Sequence, residues 1–354
     1  MANHEGVRVD LDGILRQLEA EGFDEVRVEF VPDGAAPALL DLARRGVGAA
    51  NEAAAQQIWG AGLTASLAGV SVKLGNLASE EAPGTWLAAF GDELRAGGLS
   101  GLLRATPVVR LPPWTTQITD PMVTAYVALA APRDADSAGW PERAVRWAAE
   151  AGGDAYISSG GQNQLDTSGE VASHLSAALR ASSSAALLYA DAKSSRAAFA
   201  QIGANGQATY QTYDSSAELT AQADRARAAI LADAEYAHYA FVAPTPHQAY
   251  GWDARGRALP PLRPEVSAAA LRVHGDLWSR FVPDTHCMQL LTDEHLGRVA
   301  DLSQWTVTQV TPGRSLVEAP DLAEWFRPGG PANSTLDKAR ADFGGALVSA
   351  DDLR

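Results

Sequence analysis

The sequence predicts an α+β protein in which mixed and antiparallel sheets are covered by helices. Three observations carry this expectation. Asn205-Gly206 separates two alternating runs, Arg196–Ile202 and Gln207–Tyr213, and Asn-Gly suits the positive φ angles of a tight hairpin turn. Thr311-Pro312-Gly313-Arg314 joins two further runs, Trp305–Val310 and Ser315–Ala319, as a second hairpin. Between and around these, segments of helical spacing alternate with short extended ones along the whole chain.

In the N-terminal part, Leu11, Ile14, Leu15 and Leu18 recur at the spacing of an amphipathic helix, with Asp10 or Asp12 to cap it and Gly22 to stop it. Val26, Val28 and Phe30 alternate with Arg27 and Glu29, the pattern of a half-buried strand. Pro32-Asp33-Gly34 is a turn, and Leu39, Leu40 and Ala43 mark a second helix. Gly46–Gly69 is made almost wholly of small residues around Trp59, and its glycines are expected to break helix into pieces. Val70–Leu74 reads as a strand, and Thr85–Ala96 as a helix with Trp86, Phe90 and Leu94 on one face. Leu99–Leu111 is extended, and Met122–Ala130 is a strand apolar on both alternations, hence buried on both faces.

Pro132–Gly139 is a turn-rich linker. Beyond it, Pro141 suits the first turn of a helix to Glu150, carrying Trp140, Ala144 and Trp147. Asp154–Ser159 is a strand, Gly160–Gln164 a loop or hairpin tip, and Ser168 a cap for a helix burying Val171, Leu175 and Leu179. Ala185–Ala190 precedes the first hairpin. A long helix follows it with Leu219, Ala223, Ala226 and Ile230 on one side, and then the strand His238–Ala243. Pro244–Pro264 is a proline-rich connection and Glu265–Phe281 a helix. Met288–Leu291 is a strand, Asp293–Val299 a helix capped by Thr292, and Ser334–Phe343 a last helix.

These elements suggest three consecutive domains: an N-terminal α/β unit over 1–133, a central α/β sandwich over 140–250 built on the hairpin 196–213, and a C-terminal α+β unit over 265–354. The order of elements in the first two is compatible with a diverged duplication of one α/β unit. The run QLLTDEHLGRVADLSQWTV, then PGRSLVEAPDLAEWF, then KARADFG resembles the C-terminal part of uncharacterised actinobacterial proteins. That resemblance covers roughly the last seventy residues. It implies one compact unit over Met288–Gly344 and brings no catalytic or binding residues with it.

Composition narrows the function. At 354 residues with 46% hydrophobic content the chain can bury a substantial core, and it has no apolar run long enough to span a bilayer. The opening residues MANHEGVRVDLDG lack the basic and apolar regions of a secretory signal, and the single cysteine, Cys287, has no internal partner; both fit a cytoplasmic protein. A net charge of −15, with basic residues scattered rather than clustered, argues against nucleic acid and anionic membranes as partners.

Motifs for catalysis are sparse. Gly60-Ala61-Gly62-Leu63-Thr64-Ala65 spells a dinucleotide loop, but that mechanism needs a strand before it and a helix after it, and AAAQQIW before it reads as helix. No cofactor is therefore expected. Asp284, His286, Cys287, Asp293, Glu294 and His295 form the densest group of ligand-capable residues, yet their spacing matches no metal motif. Asp293 and Glu294 also suit the first turn of a helix, and Cys287 suits a buried strand. The features most like a binding site are polar and uncharged: Gln162 and Asn163 in the loop Ser158–Asp166, and the hairpin face Gln207, Thr209, Gln211 and Tyr213. The aromatic loop His247–Trp252 could cap a pocket beside them. Two functions follow. One is a non-catalytic protein acting by protein or small-ligand binding, with a protein partner or self-association. The alternative is a hydrolase or transferase with a His/Asp site at His286 and His295, assisted by Cys287 or by a metal.

Overall fold

The computed structural model describes residues 6–22, 25–55, 58–75, 82–118, 121–130, 139–182, 184–204, 206–245, 275–327, 330–349 and 351–352. In chain order its elements begin with β1 (Val7–Val9), α1 (Leu11–Ala20), β2 (Glu25–Pro32), α2 (Leu39–Ala53), β3 (Trp59–Ala65), β4 (Val70–Gly75), α3 (Ala82–Ala96) and β5 (Gly101–Thr106). There follow β6 (Met122–Leu129), α4 (Trp140–Ala148), β7 (Asp154–Ser159), β8 (Gln162–Leu165), α5 (Val171–Ser182), β9 (Ala185–Asp191), β10 (Arg196–Ile202) and β11 (Gln207–Asp214). The last are α6 (Leu219–Asp233), β12 (Ala237–Thr245), β13 (Met288–Thr292), α7 (Asp293–Leu296), β14 (Thr306–Thr311), β15 (Arg314–Glu318), α8 (Leu322–Trp325) and α9 (Asn333–Phe343). The fold is α+β, with largely antiparallel sheets and covering helices. No helix among the described residues is long and apolar enough to cross a membrane.

The chain divides into two interleaved units, one of residues 1–111 with 156–185, the other of 112–155 with 186–354. The consecutive boundaries read from the sequence, 1–133, 140–250 and 265–354, fall elsewhere because strand pairing here is not local. β6 pairs with both β11 and β12, which draws the end of the first third into the second unit. The linker Pro132–Gly139, the loop His247–Trp252 and most of the helix expected over Glu265–Phe281 lie outside the described residues; Gly275–Ser279 forms a short 3-10 turn.

In the first unit five strands run in the order β1-β5-β2-β4-β3, with β1 parallel to β5 and the β5·β2, β2·β4 and β4·β3 pairs antiparallel. Asp10 caps α1 by accepting from the Gly13 N–H at 3.0 Å. α2 does not break at its glycines. It runs through Gly46 and Gly48 to Ala53, because Gly46 meets the ring of Phe90 on α3, where a Cβ would stand 2.9 Å from Phe90 Cδ2. Phe90 stacks on Trp86 at 4.9 Å, and both are fully buried. β2 also departs from expectation, since it is buried on both faces. Arg27 donates to Asn163 O at 2.8 Å and Glu29 accepts from Arg104 at 2.8 Å, so its polar alternation meets partners rather than water.

In the second unit the strands lie in the order β14-β15-β13-β12-β6-β11-β10-β9. The first hairpin forms over the expected strands, Arg196 opposite Asp214 through Ile202 opposite Ala208, one residue off the register of a two-residue turn at Asn205-Gly206; the Gly203 N–H donates to Gln207 O at 3.0 Å. Gly206 takes φ +74, while Asn205 lies outside the described residues. α4 and α6 cover one face of this sheet. Ala223, Ala226, Ala229 and Ile230 let α6 lie close to β6. Under them the fully buried Asp233 carboxylate accepts from Arg143 Nε at 2.6 Å and from the Tyr210 hydroxyl, while Trp147 donates to Arg225 O at 2.8 Å. A buried carboxylate is tolerated there because a cation and a hydroxyl both meet it.

Candidate functional site

The face of β11 opposite α6 is the sheet surface that the sequence singled out. Antiparallel pairs point to one side of a sheet, so register places Gln201, Thr209, Tyr126, Phe241 and Gln289 in one row across β10, β11, β6, β12 and β13. Gln211 lies one step along, opposite Thr124, and donates to its Oγ1 at 3.2 Å. Gln207, Thr209 and Tyr213 are half-buried and Gln211 is buried, so the face is a partly covered surface rather than a fully solvated one. Tyr126 stacks on Phe241 with ring centroids 4.8 Å apart, and Tyr213 lies 6.4 Å from Trp114. The row thus carries two amides, two hydroxyls and two aromatic rings, and no charge; Gln201, Thr209 and Tyr126 are half-buried, while Phe241 and Gln289 are buried.

Gln162 and Asn163 belong to the first unit, and their polar groups are used internally. Gln162 is 1% exposed; its Oε1 accepts from Ser71 Oγ at 2.7 Å and its Nε2 donates to Gly62 O at 2.6 Å. Asn163 accepts from Arg27 through its main-chain carbonyl and bonds Ser158 through its side chain. Both serve to fasten the β7–β8 hairpin onto β2, β3 and β4 (a use of polar side chains that an uncharged loop sequence does not distinguish from ligand binding). Beyond the hairpin, His174 sits between Asp166 Oδ2 and Gln164 Oε1, each 3.1 Å from a ring nitrogen.

The same region accounts for the dinucleotide-like spelling. Gly60–Ala65 lies on a strand, β3, paired with β4, and the turn after it leads to strand rather than helix. Gly60 faces the indole of Trp86, and Gly62, at φ +63, meets the main chain of Gly160, where a Cβ would collide with the carbonyl. These glycines admit close packing at a bulge between Ala61 and Thr64.

His286, Cys287 and His295 occupy the second unit's core. His286 is 5% exposed and stacks on Phe241 with centroids 3.9 Å apart; among the described residues its Nε2 has no hydrogen-bond partner. Burial lowers its pKa from 6.5 to about 4, against a smaller upward pull from Asp284, whose carboxylate pairs bidentately with Arg340 at 2.7 and 2.9 Å. His295 is part of the cap of α7. Its Nδ1 accepts from the Thr292 N–H at 3.0 Å, which leaves the proton on Nε2 in the neutral ring. Burial again lowers the pKa to about 4, opposed by the carbonyls of Phe281 and Trp278. The Cys287 thiol donates to Val242 O at 3.1 Å, and burial pushes its pKa up to about 12. Among the described residues neither histidine shares a hydrogen bond with a carboxylate, and no three His, Cys, Asp or Glu side chains are grouped to hold a metal.

Sequence reasoning found β11 but missed Tyr126, Phe241 and Gln289. Each lies on a strand that was located, but the pairing of β6 between β11 and β12 joins residues more than eighty positions apart, and no local pattern encodes it.

No protein-family model and no curated protein matches the chain. Among solved structures, a Pseudomonas aeruginosa T6SS protein, PA0821, is similar with a TM-score of 0.42 and 9% sequence identity, over 64% of this chain and 73% of that one.

Proposed function

We propose that this protein acts by binding, without catalysis of its own, and that the face of β11 and its neighbours is the binding surface. The observation that supports this is the half-buried row Gln201, Thr209 and Tyr126, uncharged and carrying donors, acceptors and a ring on a chain of net charge −15. Such a row suits a neutral polar ligand or an uncharged protein segment, held by hydrogen bonds and stacking rather than by ion pairing. What weighs for binding over hydrolysis or group transfer is the state of the rival residues. His286 and His295 are held neutral in packed core, and Cys287 is held as a thiol. A general base needs a reachable proton and a pKa near the working pH, and a nucleophilic cysteine needs thiolate.

A single buried, unpaired thiol suits the reducing cytosol, where we place the protein. The test is affinity capture and ligand-induced thermal shift with the wild-type chain and with Thr209→Lys, which puts a charge at the half-buried centre of the row. Loss of binding in the variant, with an unchanged circular dichroism spectrum, is the expected result. Equal binding by both chains contradicts the assignment.

A further inference from the structure

We infer that β14 is a pairing edge through which two copies of this chain associate, strand against strand. β14 ends the sheet of the second unit, with β15 on one side and no further strand on the other among the described residues. Thr306, Val307, Thr308 and Gln309 are all exposed, although alternate side chains point to opposite faces, and Val307 is 45% exposed. A strand in that position offers a row of main-chain N–H and C=O groups to any extended segment.

The edges of the first unit's sheet are blunted. β1 has three residues, and β3 is bulged around Gly62. β14 has no such protection over most of its length. Its irregularity falls between Gln309 and Thr311, next to the turn, and leaves Thr306–Gln309 in straight register with Glu318–Ser315. No proline or charged residue interrupts it.

Charge selects the occupant. From Leu302 to Gly313 the sequence reads LSQWTVTQVTPG without a charged residue, on a chain of net charge −15. Two copies therefore repel over much of their surface, but at this edge no like charges oppose one another. Antiparallel pairing about a two-fold axis sets Thr, Val and Gln against Thr, Val and Gln, side chains that favour cross-strand contact. A single strand buries far less than the roughly 1,200 Å² of a standard interface, so the association is weak and concentration-dependent.

Sedimentation equilibrium of the full chain over a wide concentration series tests this. The wild-type mass rises from 37.1 kDa toward twice that value. Thr308→Lys and Thr308→Glu each raise the dissociation constant about tenfold or more while leaving the thermal melt unchanged, because the position is exposed. An equimolar mixture of the two variants recovers the dimer. The inference is overturned by a wild-type chain that stays at 37.1 kDa at every concentration, or by a Thr308→Lys chain that associates as the wild type does. It is equally overturned by a mixture that stays monomeric, or by a monomer that captures an unrelated extended segment at this edge.

Discussion

Mild acid should unfold this protein through two histidines, and His286→Phe should remove about half of that sensitivity. In the folded chain His286 and His295 each titrate at about 4 because burial penalises the charged ring, against 6.5 when unfolded. Between those values the unfolded chain binds more protons than the folded one, so stability is full above about pH 6.5 and falls as the pH drops toward 4. From pH 7 to 5 each histidine costs about 2 kcal/mol, at about 1.4 kcal/mol per unit of pKa difference crossed. Protonating His295 also ejects the Thr292 N–H from Nδ1 and so breaks the cap of α7. Among the described residues the His286 ring stacks on Phe241 and its Nε2 meets no hydrogen-bond partner, so His286→Phe keeps the contact with Phe241 and removes a buried polar atom. Urea unfolding at pH 7 and pH 5 measures the difference. The variant should be at least as stable as the wild type at pH 7 and lose about 2 kcal/mol less on acidification. A variant that loses stability at pH 7, with an unchanged acid slope, refutes the assignment of His286 as a neutral packing residue.

Two other substitutions and one reaction probe the same account. Gln162→Leu removes the bonds to Ser71 and Gly62 and leaves buried partners unsatisfied, at about 2–4 kcal/mol, and hydrogen exchange over residues 156–165 should speed up accordingly. Asn163→Ala keeps the main-chain carbonyl that Arg27 uses and should cost about 1 kcal/mol or less, so equal losses from the two contradict the fastening role given to Gln162. Cys287, with its thiol pKa raised to about 12, should resist a thiol reagent at neutral pH until the chain unfolds; rapid modification of the native protein contradicts its placement.

How much of this was legible in the sequence depended on the range of the interaction concerned. The strands of the hairpin at 196–214 are legible to within a residue, because alternation and a turn dipeptide are local, although the register differs by one from a two-residue turn; the helix faces at Trp86, Phe90 and Leu94 follow from spacing alone. β3 was missed because glycines that serve a close approach to Trp86 and Gly160 look, in sequence, like breaks or a phosphate loop. β2 was read as half-buried because alternation records polarity, and Arg27 and Glu29 are polar residues buried with partners. The candidate face was half visible. Its β11 residues stood out as a polar alternation, while Tyr126 and Phe241 joined them only through the pairing of distant strands.

The central claim is that an uncharged row on the second sheet binds a partner while the buried histidines do not act chemically. It is tested most directly by measuring binding of a captured partner or ligand to three chains side by side: wild type, Thr209→Lys and His286→Phe. The account predicts that wild type and His286→Phe bind with the same affinity and that Thr209→Lys weakens binding about tenfold or more. Binding that survives Thr209→Lys, or turnover of the bound molecule that disappears with His286→Phe, would contradict it.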